Sequence, residues 1–248
     1  MKLKKFSVPY IDDKRMLYAK EYLEKNNYQY VNSNDRADFV LLPVPSKKYM
    51  FEGIQDKIVF YGMSDYKNGF DYMKYESYVL KNAILTAEGA VKLLEENTPF
   101  SLYNSNIMII GYGRIGKALH RILKSYGANI TICSRSKSSC VDATFNGAKH
   151  IDFSKLSCEN NADIIINTVP HIVLTKSEFE VMKHDVIILD LASFPGGVDN
   201  LVAKSMGITV LNGKGMPSKY TEKTAGYIIG EAVCDIIEEE FNWKSDMP

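Results

Sequence analysis

One stretch constrains the fold of this chain more than any other. Asn106-Ile107-Met108-Ile109-Ile110 is an apolar run, and Gly111-Tyr112-Gly113-Arg114-Ile115-Gly116 follows it without a gap. The chain then enters 115–126, where Ile115, Leu119, Ile122 and Tyr126 recur on one helical face. A strand that passes through G-x-G-x-x-G into a helix opens a parallel βαβ unit. Gly111 permits the tight turn, Gly113 leaves the backbone approachable, and Gly116 lets the helix sit close to the strand. Further apolar runs predict strands at 129–133, 148–151, 163–167, 186–191 and 208–211, with helical segments at 115–126, 176–183 and 199–206 between them. Most runs are continuous rather than alternating, as in strands covered on both faces. Six strands with crossovers predict an α/β fold, a Rossmann-type doubly wound parallel sheet.

The residues before this sheet are of another kind. Twelve of the 16 Tyr lie in residues 1–104, and twelve of the 16 Gly lie after them. A helix is predicted over 12–25, and strands over 38–43 and 58–62, which reads as a second, smaller N-terminal α/β domain. Residues 76–97 predict one long helix or two abutting ones, in which Gly89 costs roughly 1 kcal/mol against Ala and implies a close neighbour. The expected division is 1–80 for the small substrate or lid domain and 81–104 for the connecting helix. The nucleotide-binding domain follows over 105–221. A C-terminal helix segment over 222–248 is expected to return to the N-terminal domain, with the ligand cleft between the halves.

Charge excludes several classes of partner. Lys and Arg total 30, as do Asp and Glu, and the balance is even along the chain. Neither a basic nucleic-acid face nor a polybasic membrane patch is supported. No apolar run approaches the length of a membrane span, and the basic N-terminus lacks the apolar core of a signal peptide. Cys133, Cys140, Cys158 and Cys234 have no metal-ligand spacing, so they read as small buried hydrophobes in a reducing cytosol, with no metal expected.

Gly111, Tyr112, Gly113, Arg114, Ile115 and Gly116 predict a dinucleotide site, with the pyrophosphate at the N-terminus of the following helix. The end of the second strand bears on which dinucleotide binds. An acidic residue there would take the ribose 2′-OH of NAD, but this chain has Ser134, Arg135, Ser136 and Lys137. Hydroxyls with Arg and Lys suit a 2′-phosphate, so NADP is expected ahead of NAD. Thr168, Val169 and Pro170, after the fourth strand, should lie along the cofactor. After the fifth strand come Ser193, Pro195, Gly196 and Gly197, whose backbone N–H groups offer a place for a carboxylate.

Several segments together resemble the A subunits of dipicolinate synthases. They are Asn82–Ala90, the Gly111–Gly116 turn, Ala162–Pro170, Asp190–Asp199 and Lys223-Thr224-Ala225-Gly226. The resemblance runs from about residue 75 to 235. It implies a cytoplasmic enzyme of the mother cell in a spore-forming bacterium. This enzyme would oxidise a dihydrodipicolinate-type, lysine-pathway precursor to pyridine-2,6-dicarboxylate. A flavoprotein-like B subunit is implied as partner, and an oligomer is expected. Holding two carboxylates calls for cations, and Arg15, Lys219 and Lys223 remain after the nucleotide site has claimed its own. Ser193, Pro195, Gly196, Gly197 and Thr224 complete the expected substrate set. His171, Glu88 and Lys223 are the candidate catalytic groups. Two other readings compete. A 2-hydroxyacid-type dehydrogenase of the formate/glycerate plan shares the split-domain layout, but Ser193 and Lys219 stand near where it places Arg and His. A non-catalytic NADP-binding scaffold for a flavoprotein is the other.

Overall fold

Eleven short strands and eight helices follow from these patterns in the computed structural model, which describes residues 4–158 and 161–241. In chain order they are β1 (Lys5–Ser7), α1 (Lys14–Lys25), β2 (Gln29–Tyr30), β3 (Phe39–Leu41), β4 (Ile58–Tyr61), β5 (Phe70–Asp71), α2 (Glu76–Asn97), β6 (Asn106–Ile110), α3 (Arg114–Ser125) and β7 (Asn129–Cys133). Then come α4 (Lys137–Phe145), β8 (Lys149–Ile151), β9 (Ile164–Asn167), α5 (Lys176–Phe179), β10 (Ile187–Asp190), α6 (Asn200–Ser205), β11 (Thr209–Asn212), α7 (Met216–Tyr220) and α8 (Glu222–Phe241). Two units result, Met1–Leu85 with Pro217–Pro248, and Thr86–Met216. The limits drawn from the sequence stood at 80/81 and 221/222, and the ends of its outer segments, 1–3 and 242–248, lie outside the described residues.

The unit Thr86–Met216 is the doubly wound sheet. Its six strands lie in the order β11-β10-β9-β6-β7-β8, every pair parallel. Counted from β6 this is the Rossmann order 3-2-1-4-5-6. The apolar runs are buried as their continuity predicts: Ile109, Ile110, Ile132, Ile164, Ile165, Ile166, Ile188 and Leu189 are fully inaccessible. Gly89 has the neighbour its position implied, because a Cβ there would lie 2.9 Å from Cβ of Met216.

The other unit contains a complete sheet of its own. Its five strands run in the order β2-β1-β3-β4-β5, all parallel, the flavodoxin-like order of the handed α/β folds. The sequence revealed only β3 and β4, since β1, β2 and β5 are two or three residues long and too short to show a period. Helices α1 and α8 pack together because Gly226 and Gly230 have no side chains. A Cβ on Gly230 would lie 2.9 Å from Cβ of Tyr22, and one on Gly226 would run into the carbonyl of Arg15. Phe6, Phe39, Phe60, Tyr72 and Tyr78 join Ile229, Val233 and Ile237 in this core.

Two local expectations need correction, and one short helix had no sequence expectation at all. The helix predicted over 176–183 starts on a Thr175–Glu178 capping box but ends at Phe179 after a single turn. The Gly- and Lys-rich stretch before α8 holds the short helix α7, where Pro217 sits in the first turn and needs no N–H. Cys133 and Cys234 are buried, but Cys140 is half-buried and Cys158 exposed, so only two of the four behave as core residues. Among the described residues no helix is long and apolar enough to cross a membrane.

Candidate functional site

The turn between β6 and α3 is built from three glycines with three different reasons. Gly111 has φ of +92°, the left-handed region that favours glycine, and its Cβ would crowd Thr168 and Val169. At Gly116 a Cβ would run into the carbonyl oxygen of Gly111. A Cβ on Gly113 would meet nothing within 4 Å. Among the described residues nothing crowds Gly113, and as the N-cap of α3 it offers no side chain of its own to the helix. Open space over the N-terminus of a twelve-residue helix suits an anionic group. Arg114 is exposed and Ile115 half-buried in the first turn of that helix. The residues present fit a dinucleotide pyrophosphate.

Thr168 and Val169 flank this turn from the end of β9. The Thr168 hydroxyl donates to the carbonyl of Ile110 at 2.9 Å, as its backbone N–H does at 2.9 Å. Pro170 is exposed beyond them, followed by His171, also exposed. Tyr112 differs from its expected role. Its side chain is buried and its hydroxyl meets Nδ1 of His120 at 2.8 Å, so only its backbone belongs to the turn.

At the end of β7 the four predicted residues separate. Ser134 is buried and its hydroxyl is 3.0 Å from Nε2 of His150 on β8, which removes it from an exposed phosphate loop. Ser136 is the N-cap of α4, accepting from the Ser139 N–H at 3.4 Å. The sequence did not reveal α4, although Ser136 after a strand is a start signal. Arg135 and Lys137 are exposed, with the Arg135 guanidinium 5.9 Å from the Phe153 ring centroid. A carboxylate also stands near this strand end. Burial, then the charge of Asp152 after β8, pushes the Cys133 thiol up to about 12. The sequence reading missed Asp152 because it follows the third strand rather than the second.

The expected carboxylate receptor after β10 is used internally. Gly196 and Gly197 are buried, the Gly197 N–H donates to Oδ2 of Asp190 at 3.1 Å, and the Gly196 N–H donates to the Ser193 carbonyl at 2.8 Å. Both amides are satisfied, so neither is offered to a ligand. A Cβ on Gly197 would collide with the Asn167 amide, which explains the second glycine. Ser193 and Pro195 remain exposed on the same loop. Asp190 itself is buried, and accepts also from Nδ2 of Asn167 at 2.8 Å and the Ala192 N–H at 3.3 Å.

The remaining predicted residues fall on separate elements. Glu88 is exposed on α2 within the nucleotide-binding unit. Arg15, Lys219, Lys223 and Thr224 belong to the other unit. Lys219 is exposed on α7, and Lys223 and Thr224 are exposed in the first turn of α8. The Lys223 ammonium lies 5.8 Å from the Tyr227 ring centroid. Arg15 is already committed. It grips Asp13 through Nη2–Oδ2 at 2.7 Å and Nε–Oδ1 at 3.0 Å, and donates to the Val44 carbonyl at 2.6 Å. Burial opposes its charge, but the bonds to Asp13 outweigh that and hold the guanidinium above its usual value. Its expected part in binding substrate is replaced by a structural one.

Residues 81–193 match the NAD-binding domain of the D-isomer specific 2-hydroxyacid dehydrogenases. The A subunit of dipicolinate synthase from Bacillus subtilis is 32% identical over 166 residues, 66% of this chain and 56% of that protein. The chain thus spans little more than half the length of that curated relative. The crystal structure of the dipicolinate synthase A subunit from Bacillus halodurans superposes with a TM-score of 0.83 at 22% identity, covering 94% of this chain and 97% of that one. The Bacillus subtilis protein superposes with a TM-score of 0.82 at 24% identity, over 96% of this chain and 97% of that one. By sequence over 66% of its length and by fold over nearly all of it, the chain is similar to the A subunit of dipicolinate synthase.

Proposed function

We propose that the chain is a nicotinamide-dinucleotide-dependent oxidoreductase subunit that forms pyridine-2,6-dicarboxylate from a dihydrodipicolinate-type precursor. The observation that carries the cofactor is the open space over Gly113 at the N-terminus of α3. The likeness to the A subunit of dipicolinate synthase carries the substrate. A nicotinamide ring supplies a hydride acceptor when bound. The protein's part is then to hold two carboxylates and accept one proton, and aromatisation of the ring spares it a strong base. With the Gly196 and Gly197 amides and Arg15 committed elsewhere, Lys219, Lys223 and Thr224 are the exposed groups left for the carboxylates. His171 and Glu88 are the exposed candidate bases. The reading includes a flavoprotein-like partner protein and a place in sporulation, both supported by the resemblance alone.

Arg135 supports NADP, by pairing with a 2′-phosphate, while Asp152 near the same strand end supports NAD through a ribose hydroxyl. We favour NADP because Arg135 and Lys137 are both exposed there.

A non-catalytic scaffold remains the second reading, favoured by one observation: three of the expected substrate contacts are spent on internal hydrogen bonds. Steady-state turnover of the dihydropyridine precursor, followed as reduced cofactor, separates the two. The enzyme reading expects dipicolinate formation with NADP or NAD, by the chain alone or with its partner. Tight cofactor binding without product under either condition would establish the scaffold.

A further inference from the structure

The outer faces of α3 and α4 flank a half-open cavity of about 120 Å³ within the nucleotide-binding unit. At roughly 30 Å³ per liquid water, it holds a few waters or one tetrahedral ion. Lys117, His120, Arg121 and Lys124 line it from one stripe of α3, Asp142 and Asn146 from α4, and Tyr112 from the glycine turn.

His120 is 2% exposed, and its Nε2 has no hydrogen-bond partner among the described residues. A buried polar nitrogen left unpaired costs about 1–3 kcal/mol, so its surroundings should say what completes it. Burial, then the Lys124 charge, lowers the His120 pKa, with Asp142 opposing, so the ring is neutral. A neutral imidazole has one donor and one acceptor. If Nδ1 were the donor, the Tyr112 hydroxyl hydrogen and Nε2 would both lack partners. If the Tyr112 hydroxyl donates to Nδ1, only an Nε2–H remains. The orphan is therefore a donor, which seeks an oxygen acceptor.

The carboxylate that lines the cavity is already taken. Asp142 pairs with Lys117 at 2.7 Å and accepts from the Asn146 amide at 2.8 Å. Lys124 donates to the Asn146 carbonyl at 2.5 Å. Arg121 is exposed and makes no salt bridge among the described residues. Three cations and one neutralised carboxylate thus surround a buried N–H. We propose that this cavity is a binding site for a small free oxyanion of the phosphate or sulfate class, which accepts from His120 Nε2–H and pairs with Arg121. Nothing in the dinucleotide reading uses this pocket. Because Tyr112 bonds the same imidazole, an ion there is linked to the turn that carries Gly111 and Gly113.

The test is a titration of the full chain with sodium phosphate or sodium sulfate, against sodium chloride at matched ionic strength. Ring ¹⁵N resonances of His120, assigned with His120→Gln, give the site-specific readout, and thermal denaturation gives the stabilisation. Expected are a saturable shift of the His120 Nε2 signal and a raised Tm with both oxyanions but not with chloride. Arg121→Gln should keep the ligand-free Tm and weaken phosphate about tenfold or more. Phenyl phosphate should bind more weakly than the free ion, given the cavity volume. A His120 signal that stays still, moves equally with chloride, or moves as much in Arg121→Gln would overturn the proposal. So would phosphate stabilisation with His120 unmoved, which places the ion at the glycine turn instead. Tighter binding of phenyl phosphate would overturn the assignment to a free ion.

Discussion

The side-chain amide of Asn167 donates to the buried carboxylate of Asp190 at 2.8 Å, across the carboxyl ends of two neighbouring parallel strands. The amide cannot be turned round, because Nδ2 also donates to the Val169 carbonyl and Oδ1 accepts from the Val169 N–H. One pair therefore holds the loop after β9 against the loop after β10. All the hydrogen bonds that Asp190 accepts come from donors, the other two being the Gly197 and Ala192 amides. Asp190→Asn keeps the shape but sets an NH₂ against those donors. We expect it to lose roughly 1–3 kcal/mol, and Asp190→Ala roughly 2–4 kcal/mol, in urea denaturation. Equal stability of Asp190→Asn and the wild type would show that packing alone holds these loops.

Two glycines of one turn should respond in opposite ways. Gly113→Ala adds a methyl to open space at a φ of −83° that alanine adopts freely. Its stability should stay within about 0.5 kcal/mol of wild type, while affinity for NADP or NAD falls about tenfold or more, a loss of about 1.4 kcal/mol. Gly116→Ala meets the Gly111 carbonyl and should cost about 1–3 kcal/mol of stability. Thermal denaturation and fluorescence titration measure the two effects separately. Unchanged cofactor affinity in Gly113→Ala would remove the pyrophosphate from this turn.

Arg135→Ala tests cofactor choice. The side chain is exposed and lies 5.9 Å from the Phe153 ring centroid, so stability should change little. A lost charge-assisted pair is worth about 1.5–3 kcal/mol, which predicts a fall of about tenfold or more in NADP affinity with NAD nearly unaffected. Asp152→Ala should weaken NAD instead. Equal losses of both cofactors in Arg135→Ala would refute the 2′-phosphate assignment.

His120 predicts a pH dependence of stability. Burial, then Lys124, holds its folded pKa below the ordinary 6.5, with Asp142 opposing. Below pH 6.5 the unfolded chain binds the proton more readily, so protonation favours unfolding. Stability is intact above 6.5 and declines as pH falls toward the folded value, by at most about 1.4 kcal/mol per pH unit from this group. Urea denaturation at stepped pH checks it. His120→Gln, which cannot titrate, should flatten the decline between pH 6.5 and 5.

Much of the fold was legible because its signals are long or sterically unambiguous. Five-residue apolar runs such as Asn106–Ile110 and Asn129–Cys133 fell on strands with the predicted limits, as did the helix over 76–97. The two-residue strands Gln29–Tyr30 and Phe70–Asp71 were not legible, since two residues carry no period. The geometry of the glycine turn was legible, and that of Gly196 and Gly197 was misread. Adjacent glycines mark backbone crowding equally well whether the neighbour is a ligand or, as here, the Asn167 amide and the Asp190 carboxylate.

By itself the sequence determined which backbone segments bury and turn, because hydrophobic continuity and the absence of a Cβ act on each residue locally. That sufficed for a doubly wound sheet opened by G-x-G-x-x-G. Which polar groups are spent and which remain was decided by the tertiary structure. Arg15 is paired with Asp13, Ser134 is hydrogen-bonded to His150, and the Gly197 N–H to Asp190. A hydrogen-bond donor has a fixed capacity, so its availability to a ligand depends on what the fold has already brought beside it. For the same reason Gly113 stands out from Gly116 only in three dimensions: the space above one is empty, and the space above the other is filled.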